Sequence, residues 1–417
     1  MTYDDGQLQP RTEPGARFAA LIDDHAPVFR ERAARHDRDS TFAVENIADL
    51  QASGGIAAFA PQELGGFGLQ SIHDWIVAIE RLGRGDASTA IALNMHLSAT
   101  RALADVWRRA VADGDQAAAA AQAATLQAVV AGDLVIAGTS TEQGADFLRP
   151  ESTAVASEDG YVLNGRKFFV TMSPAAQLFV INLRLPGEGG EPDRFGFAFV
   201  PADAPGCETQ DDWDALGMRA SGSSSLVLND YRIPGSAMRV AGEIGHWNPG
   251  VLMGRTTGNI TLVGVFLGIG ERAHELALEA AQRQTKTKFG GPIAASTGIQ
   301  HLIGQIEIDL HAARAILANA ALRLESALAE TAPRPPDLET GHALMRDYQC
   351  AKWVVNQNAI AIVSRAMDVA GGGAFMAANE LSRLYGDVRA GPFMQPFTPS
   401  ETHEYIGQVA LGRYPAG

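Results

Sequence analysis

The hydrophobic period of this chain changes twice along its length, and that change restricts the fold more than any single motif does. From about Ala16 to Ala131 apolar residues recur with a spacing near 3.6, as in LIDDHAPVFRERAARH and SIHDWIVAIERLG, so these stretches form helices with one buried stripe. The Ala-rich run Asp115 to Val130 reads as a plain surface helix on propensity alone. Between about Asp133 and Pro234 the period falls to two. LVIAGTS, STAVASE, GYVLNG, KFFVTM, QLFVINLRL, RFGFAFVP and SLVLNDYRIP are short β-branched or aromatic runs, separated by Asp-Gly, Asn-Gly and the loop PGEGGEPD. Many short strands without helices between them predict an antiparallel sandwich or barrel. Helical spacing returns after Pro249, in stretches near Pro249–Arg283, Thr297–Glu330, Asp337–Ala370 and Ser400–Leu411, with TAPRPPD breaking the second from the third. Their lengths suit a four-helix bundle. The expectation is a mainly α chain with a central antiparallel β domain: helical over 1–132, β over 133–240, and a helical bundle over 241–417.

A chain that is 46% hydrophobic with only 20 prolines can fill such cores and is not disordered. Its 48 acidic against 33 basic residues, a formal charge of −15, argue against a nucleic-acid partner. Cys207 and Cys350 are too few for a disulfide framework or a Cys-rich zinc site and suit a reducing cytoplasm, the expected location. The polar start MTYDDGQLQPRTEPG is not a signal sequence, and the apolar run Ile260 to Gly270 is far short of the ~20 residues of a membrane span, so no membrane partner is expected. Gly268-Ile269-Gly270-Glu271 is a lone GxG inside a helical pattern and reads as helix packing rather than a dinucleotide loop. His403-Glu404 lacks a second histidine, so no metal site is expected there.

Short motifs stand at the junctions of the three blocks. Pro61-Gln62-Glu63-Leu64-Gly65-Gly66-Phe67-Gly68-Leu69 is followed by Glu80-Arg81-Leu82-Gly83-Arg84-Gly85-Asp86-Ala87-Ser88. Thr141-Glu142-Gln143-Gly144-Ala145-Asp146 and Asn164-Gly165-Arg166-Lys167-Phe168-Phe169-Val170-Thr171 lie in the β block. Leu216-Gly217-Met218-Arg219-Ala220-Ser221, Phe289-Gly290-Gly291-Pro292-Ile293 and Gly371-Gly372-Gly373 come later. In this order they resemble the acyl-CoA dehydrogenase flavoproteins, with their P-x-E-L-G-G-x-G, T-E-P-x-x-G-S-D, N-G-x-K-x-W-I-T, L-G-x-R-x-S and F-G-x-P-I segments.

The resemblance implies FAD, with FMN or a reduced flavin as variants, and a fold of helical domain, β domain and bundle. An isoalloxazine needs an apolar face and hydrogen-bond donors at its heteroatoms. Ser140 and Thr141 would touch its pyrimidine side, Phe169 takes the family's stacking tryptophan position, and Thr171 takes the hydroxyl near N5. Without that motif, Phe168-Phe169 reads as ordinary strand core. Phe289, Gly371, Gly372, Ser400 and Thr402 would complete the cofactor contacts. Lys286 stands where the family has an arginine reaching the pyrophosphate across a subunit interface, and an ammonium lacks the guanidinium's bidentate fork. Asp368 replaces a glutamine there, and the T-E-P-x-x-G-S-D loop is shortened.

The catalytic base departs most. The family removes an α-proton with a glutamate just before the last helix. Here the segment is Phe397-Thr398-Pro399-Ser400-Glu401-Thr402-His403; reading Ser400 as the N-cap places Thr398 at the glutamate position. The alternative site on the first bundle helix falls on Gly258. Three readings follow. Another group serves as base, from Glu401, His403 or His96; against these stand a first-turn acid for Glu401 and a core histidine for His96. Alternatively the chain is a reduced-flavin-dependent monooxygenase, or a flavin-binding protein without turnover. The leading expectation is a flavin-dependent oxidoreductase acting on an acyl thioester or related small molecule. It would be a homotetramer or dimer, served by an electron-transfer flavoprotein or a flavin reductase.

Overall fold

The computed structural model describes residues 6–287 and 290–415. Five helices come first: α1 (Glu13–Asp39), α2 (Val44–Ala52), α3 (Ile72–Gly85), α4 (Ala87–Asp113) and α5 (Gln116–Val130). Four of the five starts are explained locally. Thr12, Ser71, Asp86 and Asp115 cap α1, α3, α4 and α5 by accepting from backbone N–H groups of the first turn. α3 is buried on nearly every side, with Trp75, Ile76, Val77 and Ile79 at 0% exposure and His73, Asp74 and Glu80 buried as well, so its polar residues need partners inside the fold.

The middle block holds β1 (Ile136–Thr139), β2 (Thr153–Ser157), β3 (Gly160–Lys167), β4 (Leu178–Leu185), β5 (Arg194–Pro201), β6 (Cys207–Thr209), β7 (Leu226–Pro234) and β8 (Met238–Glu243). They form one sheet in the order β6-β7-β3-β2-β4-β5-β8, with β1 added beside β4. The sheet is mixed rather than antiparallel, because β4 runs parallel to both β1 and β2. The β2–β3 hairpin lies between β1 and β4 in sequence and supplies the crossover that a parallel pair requires. KFFVTM does not extend β3. Phe169 and Met172 have φ of 54° and 70°, in the left-handed region, and the chain leaves the sheet after Lys167 in a tight turn.

The C-terminal block contains α6 (Pro249–Ile260), α7 (Leu262–Arg283), the two-residue strands β9 (Thr285–Lys286) and β10 (Gly291–Pro292), then α8 (Thr297–Thr331), α9 (Leu338–Ala370), α10 (Glu380–Val388) and α11 (Pro399–Ala410). The expected first bundle helix is broken at Thr261 into α6 and α7. The stretch Pro249–Arg283 is apolar and long enough to cross a membrane, yet 83% of its most apolar window is buried against other helices. α10 completes the bundle of α7, α8 and α9, whereas α11 packs on α9. The last helix also starts earlier than Ser400: Thr398 is its N-cap and Pro399 its first residue, where a proline loses no hydrogen bond.

The N-terminal helices and the bundle share one hydrophobic core, and the sheet has its own. The shared core is closed by the crossing of α3 over α7. A Cβ at Gly268 would lie 2.2 Å from the Glu80 carbonyl oxygen, and at Gly83 2.8 Å from that of Val265, so only glycines allow the backbones to touch. Beside this crossing, Arg314 of α8 donates twice to Glu271 of α7, at 2.6 Å each, with both side chains buried. Burial pushes the neighbouring Glu80 carboxyl up to about 8.

His96, a candidate base, is instead a structural bracket between α4 and β1. It is fully buried; Nε2 donates to the Ile56 carbonyl at 3.0 Å, and Nδ1 accepts from the Ile136 N–H at 3.0 Å. Both ring nitrogens are therefore occupied by backbone. Burial pulls its pKa down to about 4, with the two backbone bonds opposing weakly, so it is neutral near pH 7.

Two predictions follow from these buried polar groups. Arg314→Met leaves the Glu271 carboxylate uncompensated beside Glu80 and should cost about 3–5 kcal/mol, read as a drop in denaturation midpoint; Glu271→Leu/Arg314→Met should cost clearly less. In the unfolded chain His96 takes up a proton near pH 6.5, which the folded state refuses until about 4. Its contribution is thus intact above pH 6.5 and is lost as pH falls toward 4. The stability advantage of the wild type over His96→Gln should shrink by about 2–3 kcal/mol between pH 7.5 and 4.5 in urea unfolding.

Candidate active site

The site is assembled where one end of the sheet meets α6, α9 and the segment before α11. On the sheet side, the loop after β1 is tied to the end of β3. Thr139 Oγ1 donates to the Phe168 carbonyl at 2.7 Å, the Phe168 N–H to the Thr141 carbonyl at 2.9 Å, and the Thr141 N–H to Thr139 Oγ1 at 3.2 Å. Glu142 anchors the loop from below: its carboxylate accepts from Lys167 Nζ and from the N–H groups of Glu151 and Ser152. Burial raises the Glu142 carboxyl, but Lys167 and these donors outweigh it and hold it below the ordinary carboxylate range, while burial lowers Lys167 to about 8. Ser140 and Thr141 are therefore held on a rigid shelf.

The left-handed turn after β3 throws Phe169 outward. Its ring is 57% exposed and stands edge-on to Trp213, with centroids 5.9 Å apart. Thr171, two residues on, is buried. Its hydroxyl meets Ser223 Oγ at 2.8 Å, and Ser223 meets Ser221 Oγ at 2.7 Å. Ser221 closes the Leu216–Ser221 motif, whose Met218 N–H is anchored by the buried Asp387 carboxylate of α10 at 2.6 Å.

On the helical side, Gln395 Nε2 donates to Thr141 Oγ1 at 2.6 Å. The Gln395 side-chain oxygen accepts from the Arg255 guanidinium of α6, and its backbone carbonyl accepts from Tyr348 Oη of α9 at 2.8 Å. Lys352 of α9, 2% exposed, donates to the Phe397 carbonyl at 2.6 Å and to that of Met394. Arg255 lies 4.2 Å over the Phe147 ring, which stacks on Trp247, and among the described residues its Nε has no hydrogen-bond partner. Burial lowers Arg255 to about 10 and Lys352 to about 7.

The remaining candidates fall elsewhere. The Thr398 N–H and hydroxyl both donate to Glu401, at 2.7 and 2.6 Å, so the Glu401 carboxylate is spent on the helix cap. His403 is exposed and packs edge-on against Trp353, 4.1 Å between centroids. Ser400 is exposed, and Thr402 is buried with its hydroxyl toward Gln349 at 3.3 Å. At Gly258 the backbone carbonyl accepts from Ser98 Oγ at 3.1 Å, and no carboxylate stands there.

Lys286, on exposed β9, and the exposed turn Gly371–Phe375 are neighbours, since Gln284 Nε2 donates to the Ala370 carbonyl at 3.0 Å. Phe289 lies outside the described residues. A rise of ~1.5 Å per residue puts Ala370 about 33 Å along α9 from Tyr348, so this group is remote from Thr141 in the same chain.

Arg255, Gln395, Tyr348, Lys352 and Ser223 escape sequence reasoning. Arg255 did leave a trace: it is the one charge in PGVLMGRTTGNITLVGV, with no acidic residue near it in sequence. The donor set fits a flavin. Thr141 and Thr171 bring hydroxyls from the two ends of the turn that carries the exposed Phe169 ring, and a half-buried cation, Arg255, has no ion-pair partner among the described residues.

Comparison with known proteins agrees along the whole length. The models of the acyl-CoA dehydrogenase N-terminal, middle and C-terminal domains match residues 21–106, 135–231 and 260–395. The amino sugar nitrososynthase RubN8 of Streptomyces rubradiris is 36% identical, over 96% of this chain and 91% of its own. The amino sugar nitrososynthase DnmZ of Streptomyces peucetius is 32% identical, over 98% and 96%. A solved structure of KijD3 with FMN and dTDP-3-amino-2,3,6-trideoxy-4-keto-3-methyl-D-glucose superposes with a TM-score of 0.89 at 34% identity, covering 99% of this chain and 97% of that one. The chain belongs to the acyl-CoA dehydrogenase family and is a flavin-dependent enzyme built on that fold.

Proposed function

We propose that this enzyme oxygenates the amino nitrogen of a nucleotide-linked amino sugar, using O2 and a reduced flavin. The observation that carries the reading is the cap of α11. The Phe397–His403 segment carries a single carboxylate, Glu401, and that cap consumes it, leaving only the hydroxyls of Thr398, Ser400 and Thr402 and the exposed His403. A hydroxyl cannot take an α-proton near pH 7. An acyl thioester substrate therefore loses its chemical support, and relatives named amino sugar nitrososynthases direct the reading to an amine. The amine needs no α-proton abstraction.

The atoms balance over two rounds. The first inserts one oxygen atom of O2 into an N–H bond and releases the other as water, giving a hydroxylamine. The second repeats the insertion and loses a further water to leave N=O. Bound reduced FMN or FAD supplies two electrons and two protons to each round. Thr141 and Ser140 would hold its pyrimidine side, Thr171 with Ser223 would serve the region of N5, and Phe169 would lie beside the ring. Trp213, Phe147 and Trp247 keep the cleft apolar and exclude water. Lys286, Gly371 and Gly372 would serve the cofactor of a neighbouring copy, since Ala370 beside them lies ~33 Å along α9 from Tyr348, and the resemblance adds Phe289 to that group. The working assembly is accordingly a dimer or tetramer, supplied by a flavin reductase in a reducing cytoplasm.

Purified protein given FMN, a flavin reductase with NADH, and a thymidine-diphosphate amino sugar should consume O2 and yield a product carrying label from 18O2 on nitrogen. Anaerobic bleaching of the bound oxidised flavin by a straight-chain acyl-CoA, with an enoyl product and no oxygen uptake, would overturn the reading.

A further inference from the structure

We propose that Arg255, Gln395 and Thr141 form a hydrogen-bond relay of fixed polarity, which aims the Thr141 hydroxyl proton at the pyrimidine side of the flavin and favours the reduced cofactor. The inference rests on the reading of Thr141 as a flavin contact.

The polarity follows from what each group is able to do. A guanidinium only donates. Its contact with the Gln395 side chain therefore turns the amide oxygen toward Arg255 and leaves the amide nitrogen for Thr141, 2.6 Å away. An amide nitrogen also only donates, so Thr141 Oγ1 must accept, and its own proton is released from this contact. Among the described residues no acceptor takes that proton. The Thr141 N–H and carbonyl are already used by Thr139 and Phe168, so the hydroxyl is oriented outward from a fixed backbone.

The backbone that carries this amide is fixed as well. Tyr348 Oη holds the Gln395 carbonyl at 2.8 Å, and Lys352 grips the carbonyls of Met394 and Phe397 on either side. Gln395 is thus clamped from α6 and α9 before it reaches the sheet.

The charge at the head of the relay is not neutralised by the protein. Among the described residues no Asp or Glu lies within ion-pair distance of Arg255, whose nearest charge-like partner is the Phe147 ring face. Hydrogen bonds in series polarise one another, and a cation at the head makes each successive donor stronger. Electron density gathers on the pyrimidine side of a flavin on reduction, so a strengthened donor there gains more from the reduced than from the oxidised ring. Arg255 and Gln395 act through Thr141 and are positioning residues.

Gln395→Glu is the informative variant because it keeps the shape. A glutamate pairs with Arg255, cancels its charge and accepts the Thr141 proton, which reverses the relay. Binding of oxidised FMN and of dithionite-reduced FMN is titrated anaerobically. The wild type should prefer reduced FMN, and Gln395→Glu should cut that preference about tenfold, the size of one charge-assisted hydrogen bond, while leaving oxidised FMN within about twofold. Arg255→Met should move in the same direction, with partial recovery in Arg255→Lys. Thr141→Val should lose as much as Gln395→Glu, and combining the two should lose no more. An unchanged reduced-to-oxidised preference in Gln395→Glu, or losses that add in the double variant, overturns the relay alone. Failure of the wild type to bind FMN or FAD in either redox state overturns the proposed function as well.

Discussion

The backbone contact between α3 and α7 is the constraint on which the rest of this molecule hangs. Gly83, Gly264 and Gly268 bring the two helix axes so close that a methyl group at Gly268 would overlap the Glu80 carbonyl. Close approach makes one core of two helical blocks separated in sequence by the whole sheet. It also forces Glu80 into an apolar setting, and the nearby Glu271–Arg314 pair must be fully hydrogen-bonded to be tolerated there. The segment read in sequence as a stray GxG thus carries, at Gly268, a helix-to-helix backbone contact.

With the helices locked together, the sheet has a single way to dock, and its docking builds the site. His96 brackets β1 to α4 through two backbone bonds. Gly217 lies against the backbone of Gly386, Met218 is held by Asp387, and Arg219 donates to the Asp37 carbonyl at 2.9 Å. The Leu216–Ser221 motif is therefore a clasp between sheet and helices as well as a wall beside the hydroxyl chain of Thr171, Ser223 and Ser221. Thr141 meets Gln395 across the same seam, 254 residues away in sequence.

The seam concentrates charge that costs stability to bury. Glu142 and Lys167 neutralise each other and rigidify the loop under Thr141. Among the described residues neither Arg255 nor Lys352 has an ion-pair partner at contact distance; Lys352 feels Glu401 from further away and spends its donors on loop carbonyls. Cations placed beside a cleft without matching acids fit a site whose ligands bring the negative charge, as a flavin and a nucleotide-linked sugar both do.

The sequence by itself determined the order of helical, β and helical blocks, because the hydrophobic period of a segment is a local property. It also determined the loops that carry Ser140, Thr141, Phe169 and Thr171, since their glycines and hydroxyls sit in contiguous motifs. Tertiary structure decided what local signals do not encode. β1 and β2 pair parallel to β4 through a crossover, KFFVTM leaves the sheet in a left-handed turn, and Thr398 rather than Ser400 caps the last helix. It likewise turned His96 and Glu401 from candidate bases into structural groups, by supplying backbone and cap partners. Arg255 and Gln395 gained their roles in the same way. A side chain's chemistry depends on which polar groups remain unpaired around it, and these neighbours come from elements far apart along the chain.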